Sequence, residues 1–144
     1  MDIVHIKRSK GGNMIRTMGV TTEGQFIFDF PLHEISMLSL QWYWVDFDQP
    51  DAEEAFLLQS YFAFHPLALE DCYGRIQRPK LDHYDDYTFF ALHSICHEDL
   101  NAEEVDLFLG DNYIVSFHYT KLQEIDKARE AIMQSSRLWE RGHV

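Results

Sequence analysis

Glu70 and Asp71 stand side by side in the stretch His65-Pro-Leu-Ala-Leu-Glu-Asp-Cys-Tyr73. Adjacent carboxylates are hard oxygen donors, and a hydrated divalent cation such as magnesium commonly takes only one or two of them while keeping its waters. At about 100° per residue, a helix that buries Leu69 turns Asp71 roughly 200° away from the core, with Glu70 between. The plainer reading is an Asp71–Arg75 pair at i, i+4, worth about 0.2–0.5 kcal/mol, beside a solvated Glu70. Residue types alone favour that plainer reading, because helix surfaces carry many such pairs. His93, Cys96 and His97 also have metal-ligand side chains. In a strand, however, His93 and His97 lie about 13 Å apart along one face and Cys96 points the other way, which gives these residues a structural role. Cys72, at helical spacing from Leu69, reads as a small core residue rather than a nucleophile. There is no Gly-rich phosphate loop after a strand, no Gly-x-Ser-x-Gly elbow and no His-Glu-x-x-His, so nothing in the sequence supports an enzyme.

These residues need elements to hold them. Met14 to Met18 and Gln25 to Phe30 read as strands joined by a turn containing Gly19 and Gly24, and Leu38 to Asp46 as a third strand, central in a sheet. Asp51 with Glu54 forms a capping box, and Ala55, Leu58 and Phe62 follow at helical spacing, which predicts a helix from about Asp51 to Phe62. Pro66 suits the first turn of a second helix through Tyr73, closed by Gly74. Tyr87 to Cys96 is a strand by composition. Val105 to Leu109 and Tyr113 to His118, around Gly110-Asp111-Asn112, predict a hairpin. Thr120 with Gln123 then predicts the cap of a helix carrying Leu122, Ile125 and Ile132 on one stripe and reaching about Trp139. The pattern predicts an α/β fold: one domain over residues 1–144, with a mixed parallel/antiparallel sheet, helices on both faces, and the start of a longer helical region at its end.

Composition narrows the partners. The chain of 144 residues has 24 acidic and 12 basic residues, a formal charge of -12. Between Thr17 and Gly74 there are ten acids and no Lys or Arg. Such a body repels phosphate backbones, so nucleic acid is excluded as an expected partner, whereas cations are attracted. Eleven Phe, seven Tyr and three Trp provide a real core and rule out a disordered acidic tail. The longest stretch free of Asp, Glu, Lys and Arg, Ala55 to Leu69, is shorter than the roughly 20 residues a membrane-spanning helix needs. Two cysteines and no secretory leader point to a reducing, cytosolic setting.

His65-Pro-Leu-Ala-Leu-Glu-Asp-Cys-Tyr73, followed by Arg75-Ile-Gln-Arg-Pro-Lys-Leu-Asp-His-Tyr-Asp-Asp-Tyr-Thr-Phe-Phe90, resembles the central signature of the cytosolic domain of the CorA family of magnesium and cobalt transporters. Trp42 to Asp46 and Glu103 to His118 resemble the family's strand and hairpin in the same order, so the likeness runs from about residue 40 to 130. The resemblance implies a homopentamer in the cell membrane, with this domain on the cytoplasmic side below a stalk helix, two membrane helices and a Gly-Met-Asn filter. The chain stops at Val144, before those parts, which implies a piece of a longer transporter that by itself moves no ion. The resemblance also implies that Glu70 and Asp71 bind regulatory Mg2+, or Co2+ or another divalent cation, between subunits. Arg75, Arg78 and Lys80 would then hold the acidic helix or pair with Asp82, Asp85 and Asp86. A zinc transporter of the same family, or a soluble α/β enzyme or metal-binding module, are the alternatives.

Overall fold

In a computed structural model, which describes residues 14–74, 78–95 and 102–140, strand periodicity is translated directly into a seven-stranded sheet. The strands are β1 (Met14–Thr21), β2 (Phe26–Phe28), β3 (Leu40–Asp48), β4 (Lys80–His83), β5 (Thr88–Ile95), β6 (Ala102–Leu109) and β7 (Tyr113–His118). They lie in the order β2-β1-β3-β7-β6-β5-β4, parallel at β3/β7 and antiparallel at every other pairing. β3 is therefore interior, as its apolar run predicts. β6 and β7 form the expected hairpin, and Gly110 at its turn leaves space that the Tyr113 ring fills.

Alternation along the strands puts Ile15, Val45, Phe47, Phe89, Ala91, Phe108, Val115 and Phe117 on one face, where they are buried against Ala55, Leu58, Phe64, Ala68, Leu69 and Cys72. That face is covered by α1 (Ala52–Ala55), α2 (Leu57–Ser60) and α3 (Pro66–Gly74). Each fully buried Phe contributes about 1.5–3 kcal/mol. Phe64 is keyed into the sheet by stacking on Phe108, with ring centroids 3.9 Å apart. Ala63, at φ 55°, makes the turn that brings it there.

The opposite face carries α4 (Gln123–Glu140), tied to β1 by Arg16–Asp126 at 2.7 Å and to the β2 end by Arg129–Asp29 at 2.8 Å. Helices thus lie on both faces. Beneath α4 a buried polar cluster joins three strands. Asp46 accepts from Arg16 Nη2 at 2.6 Å, from Ser116 Oγ at 2.6 Å and from His118 Nε2 at 2.8 Å. Trp44 Nε1 in turn donates to Ser116 Oγ at 2.8 Å. His118 Nδ1 lies 2.7 Å from the Thr120 carbonyl, so both ring nitrogens face acceptors, which only the doubly protonated imidazolium satisfies. Farther along the same face, Leu81, Leu92 and Leu109 of β4–β6 are exposed.

Two expectations change, and two elements stand where none is predicted. The helix expected over Asp51 to Phe62 is split at Phe56: the Asp51–Glu54 capping box forms, but the Ala55 carbonyl accepts from Tyr73 Oη at 3.0 Å and Gln59 N–H turns to the Phe56 carbonyl at 3.0 Å. The helix predicted to open at Thr120 opens at Leu122, whose carbonyl takes the first helical bond from Asp126 N–H at 3.2 Å, because the Thr120 carbonyl is held by His118. A 3-10 helix (Leu32–Met37) follows Pro31, where no element is predicted. β4 also escapes prediction, since Lys80-Leu-Asp-His83 carries one apolar residue on a mostly exposed edge.

Candidate functional site

Pro66 occupies the first position of α3, and the His65 carbonyl takes the opening bond from Leu69 N–H at 3.1 Å. Ala68, Leu69 and Cys72 go into the core, so Glu70 is left exposed and Asp71 sits at the rim with 22% of its side chain accessible. The antiparallel pairing of Lys80 with Ala91 and of Asp82 with Phe89 places both β4 side chains on the face that α3 covers. Lys80 Nζ therefore reaches Asp71 Oδ2 at 2.6 Å and Asp82 Oδ2 at 3.1 Å. Hydrogen bonds donated to the two carboxylates, Asp71 first, hold the ammonium above the usual lysine range. Leu67, Glu70, Asp71, Lys80, Asp82, His83 and Tyr84 line an open cleft of about 450 Å³. Three carboxylates against one ammonium leave it negative, which suits a hydrated cation better than an anion.

Arg75 lies outside the described residues, and the described partner of Asp71 is Lys80 rather than a residue one helical turn away. Arg78, Asp85 and Asp86 are exposed. His93 is on β5, opposite Glu104 of β6, with Nε2 3.3 Å from Glu104 Oε1; Cys96 and His97 fall outside the described residues. Among the described residues no three His, Cys, Asp or Glu side chains are gathered around one point that could hold a metal ion. No described helix is long and apolar enough to cross a membrane.

A second acidic feature, Asp106, has no counterpart in the sequence reading. It is in phase with Phe108 on the core face of β6, and that alternation is the signal that marks an inward-pointing acid. Asp106 is buried next to Cys72 and Glu104, and its Oδ1 has no hydrogen-bond partner among the described residues. Burial first, then the hydrogen bond and charge of Glu104, push its carboxyl from 3.8 up to about 9. The folded chain holds a proton that the unfolded chain releases, so this contribution to stability is complete below pH 3.8 and is lost as the pH rises towards 9. Asp106→Asn keeps the shape without the ionisable proton. It is expected to raise stability at pH 8 by about 1–2 kcal/mol and to flatten the alkaline loss. Urea unfolding at several pH values checks this, and a destabilised Asn variant would mean that the carboxyl is ionised and needed.

The model of the CorA-like Mg2+ transporter protein family matches residues 39–142, and the chain belongs to that family. It is 43% identical over 129 residues to the putative metal ion transporter YfjQ of Bacillus subtilis, a match covering 90% of this chain and 40% of that protein. Among solved structures it resembles the soluble domain of CorA from Methanocaldococcus jannaschii, with a TM-score of 0.65 at 18% identity, covering 93% of this chain and 48% of that one. It also resembles the ZntB cytoplasmic domain from Vibrio parahaemolyticus, with a TM-score of 0.62 at 10% identity, covering 83% of this chain and 49% of that one. The chain thus spans less than half the length of each of these relatives, and the two structural likenesses bear on the fold.

Proposed function

We propose that this chain is the cytosolic, cation-sensing domain of a divalent metal transporter, one domain over residues 1–144, acting within a homopentamer on the cytoplasmic side of the cell membrane. The observation that carries the reading is the exposed Glu70 beside Asp71, in an open anionic cleft, in a chain of the CorA family. Glu70 and Asp71 supply carboxylates to Mg2+, with Co2+ as a second candidate, and acids of a neighbouring subunit complete the shell. Like-charged surfaces repel unless a cation bridges them, so occupancy favours the closed assembly and depletion releases it. An ion that bound both states equally would shift nothing; the regulation lies in the differential affinity. The matching family is that of CorA-like Mg2+ transporter proteins and the named relative YfjQ is a putative metal ion transporter, which supports transport over the soluble-enzyme alternative. The likeness to ZntB, at 10% identity, bears on the fold and does not argue for zinc as the ion.

Half a site binds weakly, because magnesium sheds water reluctantly and only one side of its shell is present. Calorimetric titration of the 144-residue chain with MgCl2 is expected to give a dissociation constant in the millimolar range. Sedimentation velocity at micromolar concentration is expected to show monomers, since the acidic bodies repel one another. Micromolar affinity at a single site, or a stable pentamer without metal, would place the whole regulatory surface within this chain and remove the argument from bridging.

A further inference from the structure

Lys80 raises a question that the cation-sensing reading leaves open: its ammonium already stands where a cation would. Nζ is shared between Asp71 Oδ2 at 2.6 Å and Asp82 Oδ2 at 3.1 Å, inside the cleft that Glu70 also lines. A lysine locked into a core could not leave this position, but this one can. Its side chain is 40% accessible, Asp71 and Asp82 are 22% and 34% accessible, and β4 is the last strand of the sheet, so the flexible four-carbon stem can swing into water without opening a hole in the core. The register of β4 fixes the stem's origin, since Lys80 faces Ala91 and Asp82 faces Phe89 on one side of the strand.

We propose that Lys80 is a tethered competitor for the divalent cation, and that Asp82 is the carboxylate which keeps it in place. The proposal rests on the reading of Glu70 and Asp71 as a cation site and adds what sets its threshold. While free divalent cation is scarce, the ammonium neutralises Asp71 and no bridge to a neighbouring subunit forms. A divalent ion carries twice the charge and displaces it once abundant enough, whereas a monovalent ion gains no electrostatic advantage over the tether. The exchange is one cation for another, so the cleft is never left with three uncompensated carboxylates.

The test is a 1H–15N NMR titration of the 144-residue chain with MgCl2 at constant ionic strength, following the Glu70 and Asp71 amides in the wild type, Lys80→Met, Lys80→Arg and Asp71→Asn. Removing one positive charge a few ångströms from the ion is expected to tighten binding by about 3- to 10-fold in Lys80→Met. Lys80→Arg retains the charge and is expected to stay near the wild type, and Asp71→Asn to bind more weakly. A merely structural Lys80 would leave the affinity of Lys80→Met unchanged or reduced while the Glu70 and Asp71 amides still respond, and that result overturns the competitor role alone. If these amides do not respond to magnesium in any variant, the cation site itself is wrong and the competitor falls with it.

Discussion

Replacing Asp46 with Ala is expected to cost about 3–5 kcal/mol of folding stability. The carboxylate is 2% accessible and lies between two cations, the Arg16 guanidinium and the His118 imidazolium, while also accepting from Ser116. Its removal leaves the Arg16 and His118 charges facing each other, with Asp126 at 2.7 Å from Arg16 and Asp48 at 3.7 Å from His118 as the remaining acidic partners, whereas a surface ion pair would lose less than about 1 kcal/mol. Burial raises the Asp46 carboxyl, but the His118 hydrogen bond and the charges of His118 and Arg16 outweigh it and hold the group below its ordinary 3.8. Burial likewise lowers His118, but its hydrogen bond to Asp46, that charge and the Thr120 carbonyl hold it above 6.5. The Asp46 contribution is therefore present above pH 3.8 and lost as the pH falls through its lowered folded value. The His118 contribution is complete below pH 6.5 and lost as the pH rises through its raised folded value. The cluster stabilises most between these limits, and His118→Gln is expected to weaken the fold at pH 6 while removing the cluster's part of the alkaline decline. Guanidinium unfolding of the wild type and both variants between about pH 2 and 9 measures all of this. A loss below about 1 kcal/mol for Asp46→Ala would mean that water reaches the cluster.

This cluster shows where the sequence could and could not be read. Trp42-Tyr-Trp-Val-Asp46 announces an interior strand, and the run does become β3 between β1 and β7. The purpose of Asp46 is hidden, because its partners Arg16, Ser116 and His118 come from strands whose order no local pattern specifies. The hairpin around Gly110, the Asp51–Glu54 cap and the helix after Pro66 were legible because each depends on residues within a few positions of one another. The break at Phe56 was not, since it follows from a hydrogen bond between Tyr73 and Ala55, 18 positions apart. At the candidate site, the burial of Leu69 and the exposure of Glu70 follow from helical phase. The partner of Asp71 does not: local spacing offers Arg75, whereas the edge strand β4 brings Lys80 across. Asp82 and Asp106 owe their positions to strand phase, which is readable only once the strand itself is recognised.

The proposed cation bridge at Asp71, favouring the closed transporter, is tested in the full-length protein. Asp71→Asn is expected to keep the fold, because the carboxylate stands at the rim rather than in the core, yet to lose differential affinity for the closed state. Coupling between allosteric sites typically amounts to about 1–3 kcal/mol, or about 5- to 150-fold in the equilibrium. Arg75→Gln and Lys80→Arg separate the ion from the helix: if Asp71 only maintains α3, disturbing its neighbours should mimic its loss. The decisive measurement is ion current as a function of internal magnesium for the wild type, Asp71→Asn, Arg75→Gln and Lys80→Arg. Asp71→Asn alone is expected to need at least about 5-fold more magnesium to close. Superimposable curves for all four proteins, or an equal shift in Arg75→Gln, would contradict it.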